Sequence, residues 1–247
     1  MNRIVYICIL FLFSCSSEDV NNCIQTAGTI TQKEVVVPSF TRILVNRDIE
    51  LIISEGDETK VIVESGKNLL NDIEVTVVGN QLQLTNQNTC NYVRDYGITK
   101  IMVTAPNLNE IRSSSQFDVR SQGLLNYPSL SLVSEDFAQE DAFAVGDFRL
   151  TVAIDQLSIT SNKLSSFYIL GQTEDLVIGF YGGAGRFEGA DLVAQNITVF
   201  HRGSNDMIVN PQLSIEGELR STGNIIAVNR PAIVNVESYY TGRLIFD

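Results

Sequence analysis

From about Glu34 the chain alternates apolar and polar residues with period two, in runs too short for helices. Residues 40–45, 49–54, 60–64, 73–78 and 81–85 read as strands, rich in the Val, Ile and Thr that suit a half-buried pleated surface. Gly79-Asn80 separates two of these runs as a two-residue hairpin turn, and Gly56-Asp57 marks a longer hairpin loop. The pattern therefore predicts an antiparallel β-hairpin region over about 34–98. Beyond Asn91 the runs shorten and are broken by Ser, Asn and Gly, giving strands at 100–104, 110–113, 117–120, 130–133 and 148–152. Only 68–71 and 137–143 have room for a turn or two of helix.

The last third of the chain repeats. Ser166-Phe167-Tyr168-Ile169, Arg186-Phe187-Glu188-Gly189, Asp206-Met207-Ile208-Val209, Asn224-Ile225-Ile226-Ala227 and Arg243-Leu244-Ile245-Phe246 are apolar strand cores with their leading residues 20, 20, 18 and 19 apart. A second set, opening at Leu157, Leu176, Ile197, Leu213 and Val234, keeps the same phase with spacings of 19, 21, 16 and 21. Two strand sets holding one phase are the mark of a solenoid, in which no single repeat can bury its apolar face alone. The expectation is all-β: a right-handed parallel β-solenoid, β-helix-like, over about 99–247. At about 4.8 Å per repeat it makes a rod of roughly 25 to 30 Å. A β-sandwich also gives short strands, but the hairpin dipeptides vanish from the repeats, and Gly182-Gly183-Ala184-Gly185 suits a sharp corner.

The first fourteen residues read as a targeting signal. Arg3 flanks an apolar run over 4–13, half the length of roughly 20 residues that a membrane span needs. The run closes on Leu12-Phe13-Ser14-Cys15, which resembles the bacterial lipoprotein signal. That resemblance implies cleavage before Cys15 and acylation of its thiol and new amino terminus, a two-signal anchor in outer-membrane lipid. Residues 15–33 then form a lipid-anchored tether, and 34–247 a single all-β domain. Ser16-Ser17-Glu18-Asp19 resembles the surface-export signal of Bacteroidetes-type lipoproteins, which favours the cell surface over the periplasmic face.

Charge narrows the partners. A formal net charge of −12 argues against nucleic acid and anionic lipid surfaces, which reward clustered Lys and Arg. Cys8 leaves with the signal and Cys15 is the anchor, so Cys23 and Cys90 remain as an even pair in an exported protein and are expected to form a disulfide.

Cys23-Ile24-Gln25-Thr26-Ala27-Gly28, Phe40-Thr41-Arg42-Ile43, Gly66-Lys67-Asn68-Leu69-Leu70, Gly79-Asn80-Gln81-Leu82 and above all Cys90-Asn91-Tyr92-Val93-Arg94 are similar to the head GIN domain family. Its members are exported or lipid-anchored proteins of Bacteroidetes-type bacteria that carry an auto-transporter adhesin label. The resemblance spans about Cys23 to Asp247 and implies architecture; it brings no catalytic residues. Tyr92 and Ser113-Ser114-Ser115-Gln116 stand where the family often has tryptophan and a Ser-Gly-Ser-Gly corner.

Chemistry is sparse. His201, the only histidine, falls at a corner and is expected to be a surface residue rather than part of a triad. No Cys or His spacing makes a zinc site, and no cofactor is expected. Glu135, Asp136, Glu140 and Asp141 are a weak Ca²⁺ candidate in an acidic insertion over 134–147 that lacks the Asp-x-Asp-x-Asp-Gly loop, so a solvated loop is the preferred reading. Glu188, Asp191, Asp206, Glu216, Glu218 and Glu237 do not fall into one register and read as outer faces, not as the paired carboxylates of a glycosidase. The doublets Phe180-Tyr181 and Tyr239-Tyr240 each send one ring outward if they lie in strands, and these four residues are the candidate binding surface. The expected function is a non-catalytic, lipid-anchored adhesin or glycan-binding module, with a glycan or cell-surface protein as partner and no oligomeric state set by the sequence. The alternative is a periplasm-facing scaffold or carrier for lipid or another apolar ligand, for which a deep apolar groove would be diagnostic.

Overall fold

A computed structural model describes residues 23–88, 90–137 and 143–247. The signal, Cys15 and the start of the tether lie outside the described residues, as do Glu140 and Asp141. The fold is all-β, and the described strands join one 17-stranded hydrogen-bonded network. In chain order they are β1 (Ile30–Val35), β2 (Arg42–Val45), β3 (Glu50–Glu55), β4 (Lys60–Gly66), β5 (Ile73–Val78), β6 (Gln81–Asn86), β7 (Lys100–Ala105), β8 (Glu110–Ser113), β9 (Val119–Leu125) and β10 (Ser129–Ser134). Then come β11 (Phe148–Ser161), β12 (Phe167–Phe180), β13 (Phe187–His201), β14 (Met207–Leu219), β15 (Ile225–Ala227), β16 (Ile233–Ser238) and β17 (Leu244–Phe246). One 3-10 turn, Leu70–Asp72, falls in the first of the two places with room for helix.

The strands stack in two rows. The first runs β5, β6, β2, β8, β10, the second halves of β11 to β14, and β16; the second runs β1, β4, β7, β3, β9, the first halves of β11 to β14, β15 and β17. Strict alternation in strands such as β6 and β8 turns every second side chain inward, and both rows feed one apolar core. The repeat is parallel throughout, which excludes a sandwich of antiparallel sheets. Phe148, Phe167, Phe187, Met207, Ile225 and Leu244 are direct register partners, as the spacing predicts.

Three expectations need correction. The strand sets of each repeat are not separate: from β11 to β14 they are halves of one long strand, and they part only at β15 and β16. In the second strand set, which lies in the first row, Ile197 pairs with Ile215 rather than Leu213, so the true spacings are 18 and 19. The region 34–98 is only partly antiparallel. β5–β6, β1–β4 and β4–β7 are antiparallel, and Val78 faces Gln81 across the predicted two-residue turn with Gly79 at φ +62°. β2 and β3, however, already stack in parallel, and β7 lies between β3 and β4, so the Gly56-Asp57 loop joins strands that do not pair. The first repeat, β2–β3, is sandwiched between the second and third, an order set by long-range pairing.

The tether boundary at 33/34 falls inside β1, because β1 caps the end of the second row on β4. The predicted Cys23–Cys90 disulfide is present, with the Cα atoms 4.5 Å apart. It sits in a knot made by the family-like segment 90–94. The Asn91 carboxamide oxygen accepts the Val93 and Arg94 N–H groups, and Arg94 donates to the Gln25 and Cys90 carbonyl oxygens at 3.1 and 2.8 Å.

Candidate binding face

The outward side of the first row is built from positions that alternate with the core. Gln156, Asp175, Asn196 and Ser214 stand side by side in register, and next to them Ser158, Val177, Thr198 and Glu216. The polar groups are laced together: Asn196 donates to Asp175 at 3.1 Å and Ser214 to Asn196 at 3.0 Å. Asn109, Ser131, Ser158, Asp175, Asn196 and Thr198 line part of an open trough of about 470 Å³ on this face.

Where the row turns its corner the surface becomes aromatic. Phe137 meets the edge of Tyr181 at 6.2 Å, Tyr181 leans on Phe200 at 5.1 Å, and the Arg220 guanidinium lies 6.0 Å from the Phe200 ring and 4.3 Å from that of Tyr239. Side chains from the repeats of β12, β13, β14 and β16, with Phe137 beside them, thus form a stripe along the stack. Local sequence makes it possible. Gly179 precedes Tyr181 by two, and a Cβ there would come within 2.7 Å of the Tyr181 ring, so the missing side chain is the floor on which the ring lies. Glu218 accepts from Arg220 at 2.5 Å and the Tyr239 hydroxyl donates to Glu237 at 2.5 Å, which hold the far end in place. Those hydrogen bonds push the Arg220 and Tyr239 pKa values upward, so both keep their protons over the physiological range.

Of the four predicted surface aromatics, Phe180 is corrected: it is fully buried. Its register partners are His201 and, beyond it, Leu219, all on the inward side, so the strand sends Tyr181 outward instead. Tyr239 and Tyr240 are both exposed, because β16 ends at Ser238 and the alternation no longer applies. Phe137, Phe200 and Arg220 complete the stripe and were not among the predicted residues. Tyr181, Arg220 and Tyr239 each follow the Phe180–His201–Leu219–Ser238 register by one residue and Phe200 precedes it by one, an alignment that becomes visible only when the parallel pairing is known.

His201 is also corrected. It is fully buried, an inward residue at the end of β13 that packs on Phe180. The Gly203 N–H donates to Nδ1 at 3.3 Å, so the proton is on Nε2, which donates to the Asn205 carbonyl at 2.9 Å. The ring serves a buried corner where backbone groups lack a strand partner. Burial lowers its pKa, so the folded state holds it neutral and the unfolded chain takes up the proton first as pH falls. The resulting stability is whole above the ordinary histidine range and declines below it by at most about 1.4 kcal/mol per pH unit. We expect the stability advantage of the wild type over His201→Leu to shrink between pH 7.5 and 5.5 in urea titrations; a gap that is the same at both pH values would contradict the assignment.

The acidic insertion has no solvated character at Glu135, which is buried and ion-paired with Arg112. Asp136 pairs with Lys163 at 2.6 Å, and that bond followed by the one from Asn162 lowers its pKa. Both described carboxylates of the Ca²⁺ candidate are therefore engaged with cations. Among the described residues no three His, Cys, Asp or Glu side chains converge on a metal position. Of the six acids of the repeats, Glu218 and Glu237 share a register, and they face Arg220 and Tyr239 respectively.

A family model described as "Putative auto-transporter adhesin, head GIN domain" matches residues 39–231. Among solved structures, a "putative adhesin" from Bacteroides fragilis superposes with a TM-score of 0.80 at 19% identity, covering 90% of this chain and 99% of that one. A "putative lipid binding protein" from Parabacteroides distasonis gives 0.61 at 14% identity over 88% and 97%, and a "putative adhesin" from Parabacteroides merdae 0.58 at 14% over 89% and 97%. At these identities the likeness is one of fold. No curated protein matches the chain. No helix among the described residues is long and apolar enough to cross a membrane.

Proposed function

This chain belongs to the head GIN domain family, and from that premise we propose that it is a non-catalytic adhesive module of the cell envelope, binding a glycan or a cell-surface protein on the outward face of its first row. The carrying observation is the stripe of Tyr181, Phe200, Arg220 and Tyr239 beside a laced polar surface. Aromatic rings and arginine are the side chains that dominate recognition hot spots, the rings because they offer large contact areas at little entropic cost and arginine because its planar fork both stacks and hydrogen-bonds. Tyr181 and Phe200 partly cover each other's faces, so they offer a partner ring edges and a hydroxyl. The neighbouring amides and hydroxyls supply the hydrogen bonds a polyhydroxylated ligand requires.

The rest of the reading follows from it. Residues 34–247 act as one domain, a right-handed β-solenoid held by acylated Cys15 on the outer membrane, with its flank turned outward at the cell surface. A carrier for lipid is the weaker reading, although one structural relative bears a lipid-binding description. It needs an enclosed apolar cavity, whereas Phe148, Phe167, Phe180 and Phe187 fill the interior, and the trough, although Leu130, Leu157, Leu176 and Val177 share its lining with polar groups, is open at the surface.

The test is binding of the protein to glycan arrays and to epithelial cells, with Tyr181→Ala and Phe200→Ala beside the wild type. Loss of at least tenfold in apparent affinity, with unchanged circular dichroism, is expected for both. Equal binding by all three proteins would move the site off the stripe. Wild-type protein that captures neither glycans nor cells, yet takes up fatty acid or phospholipid, would favour the carrier.

A further inference from the structure

The two ends of the stack are finished differently. At the first end the rows close with antiparallel strands, β1 on β4 and β5 on β6. The outer strands carry charge, with Lys33 and Glu34 on β1 and Glu74 on β5, and Glu34 pairs with Lys60. Charged side chains on an edge strand are a standard defence against pairing with another chain.

The other end is less defended: Glu237 is the one charged residue on β16, and β17 carries none. Among the described residues β16 pairs only with β14, and β17 only with β15, so both rows finish on a free edge. The core itself is open there. Leu157, Leu176, Ile197, Ile215 and Val234 form one inward register; the first four are at most 1% exposed, and Val234 is 40% exposed. Leu244 and Phe246, which continue the inward registers of Ile225 and Ala227, are likewise only partly covered. Ile233 and Tyr240, at 61% exposure each, lie at the rim.

We propose that this end is a self-association face, on which a second copy of the chain docks end to end about a twofold axis. Charge selects that occupant. The whole chain carries −12, which repels a second copy from most of the surface, but in the last repeat Arg230 and Arg243 balance Glu237 and Asp247. An isologous contact sets the free edge against its own copy, antiparallel, and brings two open cores together. A head-to-tail contact would have to use the charged, capped end. The contact closes after two copies, and it leaves the trough and most of the aromatic stripe on the flank.

The experiment is sedimentation velocity on the full chain in mild detergent, with Val234→Lys and, as a milder change at an exposed position, Ile233→Lys. The wild type is expected as a dimer at micromolar concentration, tightened by salt because screening removes the repulsion between acidic copies. Both variants are expected to be monomers with unchanged circular dichroism, and Glu74→Lys at the capped end to remain dimeric. A monomeric wild type at about 100 µM overturns the proposal, as does a dimer that survives Ile233→Lys and a folded Val234→Lys, or one lost in Glu74→Lys. Binding by the stripe is read separately through Tyr181 and Phe200, so failure of one proposal does not resemble failure of the other.

Discussion

Phe167→Ala is expected to cost about 3 to 5 kcal/mol, the range for truncating a fully buried aromatic ring. Phe167 is fully buried, stacked on Phe148 with ring centroids 4.8 Å apart and planes 12° from parallel, and tilted against Phe180 at 5.8 Å. Its neighbour in register on the other side is Phe187. In a stack each repeat buries its apolar face only against the repeats beside it, so the void removes contacts from both neighbours at once. Collapse into the void is resisted because the strand pairing on either side sets the spacing between repeats at about 4.8 Å. Domains are stable by only about 5 to 15 kcal/mol, so such a loss leaves a marginal protein. Urea unfolding should show the midpoint falling far below that of Leu170→Ala, a half-exposed position three residues along the same strand. A loss under 1 kcal/mol for Phe167→Ala would mean that the aromatic stack is not what holds the repeats together.

The same register explains how far the sequence could be read. The positions from Phe167 to Leu244 could be aligned by eye because each is a large apolar residue entered through a polar or Gly corner, and the core demands that at every repeat. The error at Leu213 has a local cause. Leu213 and Ile215 are two residues apart, both apolar, and the pairing of β13 with β14 slips between Ala194 and Asn196. That slip turns Leu213 outward, where it is half exposed, and leaves Ile215 in the core.

The candidate site was legible in part for a similar reason. Alternation says that one of Phe180 and Tyr181 faces out, yet only the partner strands decide which. His201 was misread because a polar residue after a strand is usually solvated, whereas here it answers the hydrogen-bonding needs of a buried corner. The insertion of β2–β3 between later repeats leaves no local trace at all. Its strands look like any others, and their neighbours are tens of residues away.

Removing the disulfide with Cys23→Ala and Cys90→Ala is expected to lower stability by about 4 kcal/mol, the chain-entropy value for a closed loop of 67 residues. The loss should not be spread evenly. The loop contains β1 to β6, including the strands that cap both rows, while β12 to β14 lie outside it. The cross-link also fastens the segment before β1 to the 90–94 knot, where the Tyr92 N–H donates to the Cys23 carbonyl at 2.8 Å and Arg94 reaches Gln25. Because repeats couple mainly to their neighbours, the distant ones can stay closed while the cap opens. Native-state hydrogen exchange should therefore show protection in β1 and β4 falling by roughly a thousandfold, since each 1.4 kcal/mol is a factor of ten, with a much smaller change in β12 and β13. An equal fall in all of these strands would show that the stack unfolds as one unit, with the cap coupled to the far repeats as tightly as to its own row.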